Sequence, residues 1–156
     1  MEPWEIIIIL FGSGSILGIV IQYQIQKLHL IQEKLREERR KVYSELLLPF
    51  IDIFANPRDP QIAIERISSP AYRQTAFDLT LVGSDDVVKA YGNLMQHIYK
   101  NNNNSNDEKN SSEIIRLWAV LLLEIRKSLG NKFTKLNEKD MLRHLITDIE
   151  KVDFKQ

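Results

Sequence analysis

Residues Ile6 to Ile21 read IIIILFGSGSILGIVI, and no charge interrupts them. This run limits what the chain can become more than any other feature. Trp4 and Tyr23 bracket it, and the twenty bracketed residues match the about 20 mostly apolar residues of a spanning helix. Amphipathic Trp and Tyr rings favour the water–lipid boundary. Glu5, near one edge, is placed to reach the headgroups. A cleaved signal peptide would carry Lys or Arg ahead of the apolar run and a small-residue cleavage pattern after it. Here Glu2 and Glu5 stand ahead, and no such pattern follows. A buried core helix usually shows a polar face, which this run lacks. The sequence predicts a retained transmembrane anchor over residues 1–23.

Basic residues set the expected orientation. None precedes the run, whereas Lys27, Lys34, Arg36, Arg39, Arg40 and Lys41 follow it. Cations close to a span stay on the cytoplasmic side, so the N-terminus is expected outside and the rest of the chain in the cytoplasm. Glu33, Glu37, Glu38 and Glu45 interleave with these cations, which argues against a polybasic lipid clamp. Within the run, Gly14 and Gly18 form G-x-x-x-G, a spacing that lets two backbones approach closely. They are candidates for self-association.

No Gly or Pro occurs between Ile19 and Leu48, so the anchor is expected to continue as a stalk helix over 24–48. Leu28, Leu35 and Val42 recur every seven residues with Ile25 and Ile31 nearby, as in a coiled-coil seam. Glu38 and Glu45 follow Ile31 at the same interval and spoil the companion positions. A short coiled coil, or a stalk packed on its own domain, fits. Pro49 is expected to interrupt or bend the helix, and Asn56-Pro57 with Asp59-Pro60 marks a loop.

Residues 49–156 are expected to form an antiparallel helical bundle with a solvated loop over 101–111, making the whole chain all-α. One helix is predicted from about Gln61 to Leu81, kinked or broken at Pro70, with an apolar face of Ile62, Ile64, Ile67, Tyr72, Phe77, Leu79 and Leu81. Phe77 to Val82 is the only strand candidate. Gly83 suits a helix stop and Ser84 the next start, with Asp85 and Asp86 in the first turn, where the helix dipole favours acids. The following helix carries Val87, Val88, Tyr91, Leu94, Met95 and Ile98 at three- and four-residue steps. The most apolar helix after the anchor runs from about Ser112 to Leu129 and stops at Gly130. A last helix starts near Asn137 and continues to Val152.

Three blocks together resemble a family of small prokaryotic proteins of unassigned role. They are LVGSDDVVKAYGNLMQH (Leu81 to His97), LLLEIRKSLG (Leu121 to Gly130) and TKLNEKDMLRHLITDIE (Thr134 to Glu150). The resemblance implies an N-terminal anchor, a charged stalk and a helical domain. Ile125 and Ser128 stand where the family pattern has Met and Asp. The family implies architecture and no chemistry.

Composition narrows the function. The chain has no Cys, which excludes disulfides, thiolate metal sites and cysteine nucleophiles. Lys+Arg and Asp+Glu are both 21, which argues against a generic basic nucleic-acid binder. His144 and Asp148 are four apart, a spacing that can hold a metal but supplies only two ligands. Ser84 has no evident base beside it, and Asp85 and Asp86 would repel a phosphate at the same helix start. Glu124 and Arg126, in the most apolar helix, are candidates for a buried ion pair, with Arg73, Arg116 and Arg143 as partners for Glu124. No catalytic, cofactor or metal site is expected.

The expected function is a membrane-tethered, non-enzymatic interaction or scaffold module. Its expected partners are the lipid bilayer, a second copy of the chain and a protein partner of unspecified kind, with no nucleic acid. The rival readings are an oligomerising, membrane-perturbing effector and a membrane-bound enzyme with an unrecognised site.

Overall fold

The computed structural model of the chain describes residues 3–55, 59, 61–101, 108–147, 149–152 and 154, with side chains from 18 onward except at 101, 108, 109 and 151. The helices are α1 (Pro3–Ala55), α2 (Gln61–Ser68), α3 (Pro70–Val82), α4 (Asp85–Asn101), α5 (Glu108–Ser128) and α6 (Glu138–Leu142), followed by a 3-10 turn at Ile149–Lys151. Among the described residues there is no strand, and Phe77 to Val82 lies in α3. The chain divides into two compact units, Met1–Glu38 and Arg39–Gln156.

In the first unit every described side chain from Gly18 to Glu38 is exposed. Among the described residues no helix is long and apolar enough to cross a membrane. Most of the expected span, including Gly14, lies outside the residues whose side chains are described.

The second unit claims the end of α1. Tyr43, Leu46, Pro49 and Phe50 are buried and recur at three- and four-residue steps, which makes one inward face. Residues 39–48, expected as stalk, therefore belong to the bundle. Pro49 does not end the helix, which continues to Ala55. Proline removes one backbone donor and crowds the preceding turn, at a cost of about 3 kcal/mol. Burial of Pro49 between Leu46 and Phe50 offsets that cost. The Tyr72 hydroxyl also donates to the Leu46 carbonyl at 3.1 Å, beside the missing bond.

Pro70 breaks the expected helix in two. Ser69 is extended, and its hydroxyl accepts from the Tyr72 N–H. Pro70 takes the first helical position, where its missing N–H costs nothing. The expected apolar face is also corrected. On α2 only Ala63 is buried, while Ile62 and Ile64 are exposed. On α3 the buried residues are Tyr72, Thr75 and Leu79. Phe77 and Leu81, each two residues from Leu79, sit about 200° around the axis, so they project outward together.

α4 buries Val87, Ala90, Leu94 and Met95, with Val88, Tyr91 and Ile98 packed against the core. α5 supplies Trp118, Ala119, Leu121, Leu123 and Ile125 and packs against both α4 and α6. The Trp118 ring stacks with Phe50 and Phe54 of α1, centroids 5.9 and 4.7 Å apart. α4 and α5 run antiparallel. His97, late in α4, lies 2.7 Å from Asn110, early in α5, through Nε2 and Oδ1. α5 begins at Glu108, a turn earlier than expected.

Gly130 closes α5 with φ 121°. The N–H of Gly130 reaches the Lys127 carbonyl and that of Asn131 the Arg126 carbonyl, the paired bonds of a Schellman stop. α6 starts as expected at Asn137, whose side chain exchanges capping bonds with Asp140. It ends at Leu142, so the expected helix to Val152 is not formed. Leu142 and Ile149 are the anchors there, and turns and the 3-10 segment carry the chain between them. Lys139 pairs with Glu150 across this gap.

Gly83 allows the α3–α4 corner. A Cβ there would lie 2.4 Å from the Leu79 carbonyl oxygen. Gly83→Ala is therefore expected to lower stability by about 1–3 kcal/mol, read as a shifted denaturant midpoint with an unchanged slope.

Candidate functional site

Arg39 and Tyr43 lie one turn apart on α1, and both reach the α3–α4 corner. Arg39 Nε donates to the Val82 carbonyl at 2.6 Å. The Tyr43 hydroxyl accepts from the Ser84 N–H at 3.1 Å and lies 2.9 Å from Ser128 Oγ at the end of α5. One buried phenol thus joins α1, the corner and α5.

Beside it opens a cleft of about 370 Å³ lined by Arg39, Ser84, Asp86, Glu124, Lys127, Ser128 and Lys132. The lining mixes three cations and two acids, and no histidine is among them. Such a wall suits a polar segment carrying both signs of charge. Lys127 Nζ donates to Glu124 Oε1 at 2.7 Å.

The expected buried pair is not found in that form. Glu124 and Arg126 are only partly buried and two residues apart, so they point to different sides of α5. Glu124 takes Lys127, while Arg126 Nε donates to Thr134 Oγ1 at 3.1 Å. Arg116 is held by both Glu113 oxygens, at 2.8 and 2.6 Å. Arg73 and Arg143 are exposed.

A second groove of about 270 Å³ lies among α1, α2 and α3 and includes Glu45, Leu48, Arg66 and Tyr72. Thr75 Oγ1 donates to Glu45 Oε2 at 3.1 Å, and Arg66 pairs with Asp52 at 2.6 Å. Burial pushes the Tyr72 phenol far above its usual range, and Tyr91 beside it adds to the shift. The Tyr72 hydroxyl donates to the Leu46 carbonyl.

The self-association candidates separate. Gly18, Leu28 and Leu35 are exposed, and a Cβ on Gly18 would meet nothing within 4 Å. Val42 is partly buried against the bundle core. His144 is exposed and lies in a turn after α6, while Asp148 is outside the described residues. No group of three metal-ligating side chains occurs among the described residues. The chain's outward apolar residues include Phe77 at 60% and Leu81 at 68% exposure on α3, and Phe133 at 97% in the loop after α5. Phe133 stands between Lys132 and Lys135.

The chain matches no protein-family model, and no curated protein or solved structure matches it. Tyr43, Ser128 and Lys132 were not expected at a shared site. The one-turn spacing of Arg39 and Tyr43 signals that those two share a face, and no sequence signal points to Ser128 or Lys132.

Tyr43→Phe leaves the Ser84 N–H without its acceptor and is expected to cost about 1–3 kcal/mol in chemical denaturation. By contrast, Phe77→Ser with Leu81→Ser should change stability by less than about 0.5 kcal/mol per site, as exposed positions do. The Arg116 guanidinium holds the Glu113 carboxyl below its ordinary value. Its contribution is present above the ordinary carboxylate range and is lost as pH falls through the lowered value. Wild type should therefore exceed Glu113→Gln in stability at neutral pH, and acid titration should erase the difference.

Proposed function

We propose that this chain is a membrane-tethered helical module. Residues 4–23 cross the bilayer once, with the N-terminus outside and the bundle on the cytoplasmic side. The observation that carries the reading is the uncharged run Ile6 to Ile21 between Trp4 and Tyr23, followed by six cations and preceded by none. Tethering confines a domain to a thin layer and raises its effective concentration for other membrane components. The bundle is suited to an interaction role. It offers the outward pair Phe77 and Leu81 and a cleft of mixed charge, while the buried rings of Phe50 and Trp118 stack on one another.

The test is alkaline extraction of membranes from cells making the full chain or a chain lacking residues 1–23. The full chain should stay in the lipid pellet and the shortened one should be released. A full chain released equally would overturn the reading. Orientation is tested with Lys132→Cys, since the natural chain has no Cys. A membrane-impermeant maleimide should label it only after the cells are opened.

A further inference from the structure

We infer that the exposed part of α1 pairs with the same segment of a second copy as a parallel, in-register, two-stranded coiled coil running from Ile21 to Leu35. Ile21, Leu28 and Leu35 are seven residues apart, as are Gly18, Ile25 and Gln32. The two series interleave at three- and four-residue steps, as the d and a positions of one heptad seam do. This register differs from one built on Ile31, whose next positions are Glu38 and Glu45. With Ile25 and Gln32 as the companions, no charge enters the seam before Arg39.

The seam residues from Ile21 to Leu35 are exposed among the described residues. Leu28 is 58% exposed, Ile21 and Ile25 are similarly open, and Leu35 is exposed. The seam also stops where the bundle begins. Arg39, the next a position, is bound to the Val82 carbonyl, and Val42, the next d position, packs against the bundle core. Charges sit where a two-stranded coil tolerates them. Lys27, Glu33, Lys34 and Glu37 take the outer b, c and f positions, with Tyr23 and Leu30 the large apolar residues among them.

Across a parallel pair, the facing g and e positions bring Gln24 to His29 and Ile31 to Arg36. No like charges are opposed. Gln32 fixes the alignment. A single polar a residue is satisfied best by the same amide on the partner helix, which selects two strands and one register. Gly14 and Gly18 fall on the same stripe in sequence, although the inference does not need them.

The inference stands apart from the membrane reading. It is tested on the full chain, purified in mild detergent, with single cysteines at Leu28, Leu35, Lys27 or Lys34. The natural chain has no Cys, so each cross-link has one origin. Facing d positions lie within disulfide reach, so Leu28→Cys and Leu35→Cys should cross-link at least about tenfold faster than the outward Lys27→Cys and Lys34→Cys. Leu28→Asp with Leu35→Asp should halve the protein mass seen by sedimentation and leave the unfolding of the bundle unchanged. Equal cross-linking at all four sites, none at any, or a monomeric natural chain would overturn the inference. A chain that cross-links as expected but needs no detergent would remove the tether and leave the dimer.

Discussion

The inward face of the last turns of α1 holds the bundle together. Tyr43, Leu46 and Phe50 are nearly fully buried. The Tyr43 hydroxyl binds the Ser84 N–H and lies within hydrogen-bond distance of Ser128 Oγ, while Arg39 binds the carbonyl of Val82. At the other end of the face, Phe50 and Phe54 stack on Trp118. α5 is therefore engaged by α1 at both its middle and its end, and the α3–α4 corner is pinned between them. Without this face, α4 and α5 would keep each other, but the corner amide and the Trp118 ring would lose their partners.

That arrangement divides α1 by environment and not by secondary structure. Up to Glu38 the described side chains are exposed; from Arg39 the helix is part of a core. An uninterrupted helix can make such a change because its hydrogen bonds are internal, so only the surroundings of its faces differ. The exposed part carries both charged and aliphatic side chains in the open, Lys27 and Glu33 beside Leu28 and Leu30. The inner part carries aromatic and branched residues at the same period.

Much of the helical layout was legible in sequence because its signals are local. Gly83, Gly130 and the Asn137–Asp140 pair stop or start helices through backbone geometry or short side chains, and all three act where expected. The stripe on α4 was legible because Val87, Leu94 and their neighbours follow one period. Faces were harder to read where apolar residues exceed what the core can hold. Ile62, Ile64, Phe77 and Leu81 count as apolar in any pattern, yet the core on α2 and α3 takes Ala63, Tyr72, Thr75 and Leu79. Pro49 does not interrupt α1, because its ring is buried in the core with Leu46 and Phe50. The candidate cleft was almost invisible in sequence. Arg39, Ser84 and Glu124 come from segments far apart along the chain, brought together by the Arg39 and Tyr43 bonds and the packing of α4 on α5. The Glu124 and Arg126 candidates failed as a pair because a helix two residues on has turned away.

α1 from Tyr43 onward is a structural member of the bundle and not the end of a free stalk. Amide hydrogen exchange of the full chain, followed by region, tests it most directly. Amides of residues 43–50 are expected to open with the same free energy as those of 118–125 in α5, at any protein concentration. Exchange of 43–50 as fast as that of the exposed residues 24–36, with α5 still protected, would contradict it.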